Sequence, residues 1–164
     1  MKVSKVIDLS VTVKHDDVVW PGSPAPEIRK IYIGPPTGTV EMVKFHTHTG
    51  THVDAPYHQL ERGVSIDQMP VEVFLGYGTV IDLSYKKPKE RITSADLEEH
   101  GLHVKEDDIV FIYTGWGRKR DFTIEYMQNF PALDESAAEW LVKKRVKGVG
   151  IDTLGIEPFA EISI

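Results

Sequence analysis

Four of the chain's seven histidines fall inside one stretch, His46-Thr47-His48-Thr49-Gly50-Thr51-His52-Val53-Asp54-Ala55-Pro56-Tyr57-His58. Imidazole nitrogens and a carboxylate at this density are donors suited to a divalent cation. His48 and His52 stand four apart, as do the paired histidines of helical zinc proteases. A helix is opposed here, because Thr49, Gly50, Thr51 and Val53 are poor helix formers, Pro56 would end a helix, and Thr49 occupies the place of that motif's glutamate base. In extended or looped chain, parity decides instead. His48, His52, Asp54 and His58 are all even-numbered, and alternate residues of an extended chain face the same way. The Cα atoms of His52 and Asp54 would lie about 6.5 Å apart, close enough for both side chains to reach one ion. Gly50 lets the backbone bulge or turn and bring His48 back toward that ion. The expected ligand set is therefore His48, His52 and Asp54 around zinc, with manganese or iron also acceptable. Three protein ligands leave an open position, which is the catalytic and not the structural arrangement. His46 falls outside this set, which is complete without it, and His15, His100 and His103 stand alone.

The elements that must carry this stretch are short. At 164 residues the chain predicts a single domain over 1–164 with one core. β-rich runs at Val3–Leu9, Ile28–Ile33, Val40–Phe45, Val71–Leu83 and Ile109–Tyr113 are each bounded by Gly, Pro, Asp or Ser and read as strands. A helix is expected over Thr93–His100, where Thr93 and Asp96 approximate a capping box and Gly101 supplies a stop. A second runs from Asp134 to Lys144, acidic at its start and basic at its end. Gly148-Val149-Gly150-Ile151-Asp152 then reads as a buried strand, so a strand–helix–strand unit closes the chain. The class is α/β or α+β, strand-rich.

Composition removes several function classes. There is no cysteine, which excludes disulfide frameworks, thiolate zinc sites, iron–sulfur clusters and cysteine nucleophiles. The formal net charge of −6 disfavours nucleic acid as a partner. The basic runs Lys86-Lys87-Pro88-Lys89 and Arg118-Lys119-Arg120 are short and read as solvated loops. No apolar run approaches the length of a membrane span and no leader is visible, so a cytoplasmic protein without membrane contact is expected. No G-x-S-x-G elbow occurs, which removes the α/β-hydrolase route to acyl transfer.

The stretch His48-Thr49-Gly50-Thr51-His52-Val53-Asp54-Ala55-Pro56-Tyr57-His58 resembles the H-x-G-T-H-x-D-x-P-x-H signature of the cyclase family of metal-dependent hydrolases, which includes bacterial kynurenine formamidase and isatin hydrolase. Ile7-Asp8-Leu9-Ser10, Trp20-Pro21-Gly22, Tyr113-Thr114-Gly115-Trp116 and Gly150-Ile151-Asp152-Thr153 are similar to further family landmarks, in the family order. The resemblance implies a swivelling β/β/α fold and an arylformamidase-like hydrolase of a C–N bond in a small aromatic or cyclic amide, such as N-formylkynurenine or a lactam. It implies a divalent metal, Zn²⁺ or Mn²⁺, and a homo-oligomer, dimer or higher. Residue by residue, His48, His52 and Asp54 match the ligands of the first metal, His58 the acid/base histidine and Trp20 a substrate-contacting aromatic. For His58 its position agrees, four residues past Asp54 and beyond Pro56, free to face substrate. The pattern departs at the end: family members continue with a histidine and a glutamate that complete a second metal site, whereas here the sequence ends at Ile164 without them. One metal equivalent is expected on that basis. The alternative reading is a catalytically inactive, truncated metal-binding or interaction domain of the same family.

Overall fold

The computed structural model describes residues 4–31 and 38–159. By its internal contacts the chain divides into two compact units, Met1–Asp67 and Gln68–Ile164.

The second unit is built on three parallel strands, β3 (Gly78–Asp82), β5 (Ile109–Tyr113) and β7 (Gly148–Ile151), in the order β3-β5-β7. The register aligns Ile81 with Ile112 and Ile112 with Ile151. Because strand side chains alternate between faces, Ile81, Val110 and Ile112 share one face, and each is at most 1% exposed. Helices α1 (Ser94–His100) and α3 (Glu135–Lys144) pack with it, contributing Leu97, Ala137, Trp140 and Leu141 to one continuous core. A two-residue ladder between β4 (Arg91–Ile92) and β6 (Ala132–Leu133) adds Ile92 and Leu133. Each fully buried aliphatic side chain here stabilises by about 1.5–3 kcal/mol.

The helix ends follow their sequence signals. Thr93 and Asp96 form the capping box at the start of α1, the Asp96 carboxylate accepting from Thr93 N–H at 2.7 Å, and Gly101 is the C-cap. Asp134 caps α3 by accepting from Ala137 N–H at 3.0 Å. A further short helix, α2 (Ile124–Gln128), starts at Thr123 and escaped the sequence pattern. Lys86 departs from the solvated-loop expectation: its side chain is 7% exposed, its Nζ lies 2.9 Å from Asp96 Oδ2, and it donates to the Arg91 carbonyl at 2.8 Å. Burial pushes Asp96 upward, but the Lys86 ammonium, the Thr93 donors and the Tyr85 hydroxyl overrule it and hold Asp96 well below the usual carboxylate range. Partial burial and the hydrogen bond to Asp96 push Tyr85 up to about 12.

Among the described residues of the first unit, the strands are those of an antiparallel ribbon, β1 (Glu27–Ile31) and β2 (Val40–Lys44), running from Glu27 opposite Lys44 to Ile31 opposite Val40. Ile33 lies outside the described residues, as does Val3. The strand expected over Val3–Leu9 is absent from the described part of that run: residues 4–10 are irregular, and the Asp8 carboxylate accepts from Ser10 N–H at 2.8 Å, a local turn that competes with strand pairing. The expected strand Val71–Leu83 is also shortened. Val71–Phe74 forms a 3₁₀ turn after Pro70, with Val73 N–H on the Pro70 carbonyl, and only Gly78–Asp82 joins a sheet. The strand-rich mixed α/β class holds. Among the described residues no helix is long and apolar enough to cross a membrane.

Candidate metal centre

The histidine stretch begins just after β2 and is held by local hydrogen bonds instead of a ladder. Its first part, Thr47–Thr51, is a turn that pivots at Gly50, whose φ of +68° suits glycine. A Cβ at Gly50 would lie 2.6 Å from Val13 Cγ2, so the segment at Val11–Val13 packs directly on the turn. Val11 N–H donates to Thr51 Oγ1 at 3.0 Å and braces it from the same side. After Ala55, Pro56–His58 forms one 3₁₀ turn in which His58 N–H donates to the Ala55 carbonyl at 2.9 Å. Tyr57 N–H reaches the Val64 carbonyl at 3.1 Å, and Gly63 approaches Pro56 so closely that a Cβ there would sit 2.5 Å from its carbonyl carbon. His58 is thus carried on a closed loop.

Three donor atoms converge. His48 Nδ1 lies 3.1 Å from His52 Nε2 and 3.0 Å from Asp54 Oδ1, and His52 Nε2 lies 3.6 Å from Asp54 Oδ1. Adjacent ligands on an ion with bonds of about 2.0–2.2 Å and angles between octahedral and tetrahedral stand roughly 2.8–3.6 Å apart. All three separations fit a single divalent cation. The His52 tautomer fits as well. Its Nδ1 is 2.9 Å from the Gly50 carbonyl, which only accepts, so the ring proton belongs on Nδ1 and the Nε2 lone pair faces the cluster. Burial is the largest influence on His48 and holds it below the ordinary imidazole value; Asp54 pulls it back up, while His58, His52 and His46 push it further down. The net result favours the neutral, ligating ring near pH 7.

His58 joins the same cluster. Its ring centroid is 4.3 Å from that of His48, and one donor atom from each of His48, Asp54 and His58 can be chosen with all within 4.8 Å of one another. Trp20 is half-buried at a Pro-Gly turn in which Ser23 N–H donates to the Trp20 carbonyl at 3.0 Å and Gly22 has a φ of +86°. His46, left out of the ligand set by sequence, accepts a hydrogen bond from His48 N–H on its Nδ1 at 3.2 Å. His15 accepts from Ile28 N–H at 3.0 Å, His103 lies 2.9 Å from the Val80 carbonyl and His100 packs on Tyr85, each a local contact.

Residues 7–158 match the family model described as Putative cyclase. The chain belongs to the cyclase family. It is similar to kynurenine formamidase of Bacillus anthracis, with 28% identity over 160 residues that make up 96% of this chain and 73% of that protein. Among solved structures, one described as a potential metal-dependent hydrolase with cyclase activity is 31% identical, with a TM-score of 0.76 over 96% of this chain and 72% of the other. Isatin hydrolase A from Labrenzia aggregata, 24% identical, shares the fold at a TM-score of 0.80 over 93% of this chain and 69% of that one. The relatives it matches are named for hydrolysis, a formamidase among them, and the solved structure is described as metal-dependent.

Proposed function

We propose that this protein hydrolyses the C–N bond of a small aryl formamide or cyclic amide, N-formylkynurenine being the leading candidate, with a divalent cation held by His48, His52 and Asp54. The observation that carries the reading is the approach of His48 Nδ1, His52 Nε2 and Asp54 Oδ1 to within 3.0–3.6 Å of one another. Two imidazoles and one carboxylate suit Zn²⁺ or Mn²⁺ and leave positions open for water and substrate. When bound, such an ion supplies Lewis acidity, which acidifies water and polarises a carbonyl.

The chain's own residues do the rest. Asp54 contributes the single negative charge of the trio, and the Gly50 carbonyl fixes the His52 tautomer. His58 is the acid/base: it takes the proton released as water adds to the carbonyl carbon, then delivers it to the departing amine nitrogen as the C–N bond breaks, so the products of a formamide are formate and the free amine. Its place on the turn after Pro56, against the His48 ring, supports that role. Trp20 is assigned to stacking on the substrate's aromatic ring, as the resemblance implies.

Turnover of a panel of aryl formamides and lactams tests the reading, measured on protein stripped with a chelator and then resupplied with Zn²⁺ or Mn²⁺. Hydrolysis that vanishes on stripping and returns with metal is expected. Metal-independent hydrolysis, or none with either ion, would overturn it.

A further inference from the structure

His46 lies beside the donor trio without belonging to it, and its contacts are unusual. His48 N–H donates to His46 Nδ1 at 3.2 Å. A side-chain acceptor taking the amide of the residue two positions on is the arrangement of an Asx turn, built here with an imidazole. Since Nδ1 accepts, the proton of the neutral ring belongs on Nε2. That nitrogen is buried and has no hydrogen-bond partner among the described residues. An orphaned buried N–H opposes folding, and an apolar side chain of similar volume would avoid the penalty. Whatever the ring contributes therefore lies at Nδ1.

That nitrogen holds a ligand's main chain. No ladder or helix supports Thr47–Thr51, and His48 is separated from His52 by the Gly50 pivot. On one side of the pivot Thr51 is braced by Val11 N–H. On the other, the His48 amide is held by His46. The His46 and His48 rings are 6.3 Å apart and tilted by 40°, and the hydrogen bond between the two residues is made at the His48 backbone, not between the rings.

Resting on the metal reading above, we propose that His46 is a positioning residue, whose Nδ1 fixes the turn that aims the His48 ring at His52 and Asp54 and thereby tightens divalent-metal binding. The test compares the unmodified protein with His46→Asn, His46→Gln and His46→Ala. Asparagine places an oxygen near the position of Nδ1 and completes an ordinary Asx turn; glutamine places its polar end near Nε2, and alanine supplies neither. Dissociation constants for Zn²⁺ and for Mn²⁺ are measured by competition with a chromophoric chelator, and the thermal midpoint of each metal-free protein by circular dichroism. Asparagine is expected to stay within about threefold of the unmodified protein, and glutamine and alanine to bind roughly 10- to 100-fold more weakly, the range for groups that orient metal ligands. The Gln protein, which leaves the His48 amide without its acceptor, should melt only slightly below the Asn protein, by no more than the loss of one hydrogen bond. Equal affinity in the Asn and Gln proteins, undiminished affinity in the Ala protein, or losses that merely follow the melting midpoints would overturn the proposal. If alanine prevents folding, the Asn and Gln pair decides alone. An unmodified protein that binds neither ion overturns the metal reading and this inference with it, whereas failure of the pattern in a protein that binds metal overturns only the role of His46.

Discussion

The unit over residues 68–164 and the histidine loop within residues 1–67 position their side chains by different physics. In the former, Ile81, Leu97, Val110 and Ile112 are fixed because strand and helix periodicities turn them into one core, where burial supplies the energy and regular hydrogen bonding the geometry. In the latter, the side chains of the candidate site are partly exposed, Asp54 at 46%, and are placed by a glycine pivot, a proline-started turn and single bonds from side chain to backbone. A core residue is therefore backed by many neighbours. A loop ligand is backed by a few, each individually consequential, and the same mutation type should read out on stability in one region and on ligand binding in the other.

The largest expected effect belongs to the loop. Asp54→Ala removes the only anion of the trio, and affinity for Zn²⁺ or Mn²⁺ should fall by orders of magnitude. Elemental analysis after dialysis measures it, and full retention of metal would show Asp54 to be a supporting residue instead of a ligand. His58→Ala should keep the metal but lose roughly 10²- to 10⁴-fold in turnover, the usual contribution of a placed acid/base. Loss of metal together with turnover would make His58 a ligand and remove the distinction between the two roles.

The core answers in stability. Leu97 is fully buried, and Leu97→Ala should cost about 2–5 kcal/mol in denaturant unfolding. His48→Ala, at a partly exposed loop position, should cost about 1 kcal/mol or less in the metal-free protein. If the two losses were alike, the contrast between the regions would collapse.

The second unit also holds a polar network whose charge can be titrated. Lys86, Tyr85 and the Thr93 donors stabilise the ionised form of Asp96, so its folded-state value lies below the unfolded one. The stabilisation is then fully present above the unfolded carboxylate value, about 3.9, and is lost as pH falls through the depressed folded value. Tyr85 works in the opposite direction: raised to about 12, it favours the neutral hydroxyl, and its contribution fades as pH rises from about 10 toward 12. Asp96→Asn should flatten the acid limb of a stability–pH curve and lower its plateau by roughly 1–3 kcal/mol. An acid limb unchanged by the substitution would locate acid sensitivity elsewhere.

Legibility in the sequence follows the same division. The capping signals of α1 and α3 and the strand at Ile109–Tyr113 were readable because local propensity and tertiary role agree there. The runs at Val3–Leu9 and Val71–Leu83 misled because β-propensity says nothing about whether a partner strand exists; Asp8, Pro70 and Gly76 turn the chain instead. At the candidate metal centre, the identity and parity of His48, His52 and Asp54 pointed to a cluster, and Gly50 to the turn within it. His46 was passed over because its contact is with a backbone amide, which no count of donors reveals, although an acceptor two residues before a ligand at a turn is a recognisable signal. Lys86 looked like part of a solvated run because charge patterning does not record that one lysine of a run can fold back onto a cap.

The smallest expected effect is the sharpest comparison within the loop, because two threonines flank the Gly50 pivot with opposite hydrogen-bonding situations. Thr49 is 7% exposed and its Oγ1 has no partner among the described residues, whereas Thr51 Oγ1 accepts the Val11 amide at 3.0 Å. Valine has nearly the shape of threonine without the hydroxyl. Thr49→Val removes a buried polar atom that forms no bond, so stability should rise, by up to about 1 kcal/mol. Thr51→Val strands the Val11 amide and loosens the brace on the pivot, so stability should fall by roughly 0.5–1.5 kcal/mol. Denaturant midpoints of the two metal-free proteins read both signs in one experiment. If both substitutions destabilise equally, the Thr49 hydroxyl has a partner in solution and the loop is tied down at more points than the Thr51 and His46 bonds; if neither matters, packing of Val11 and Val13 on Gly50 holds the turn without them.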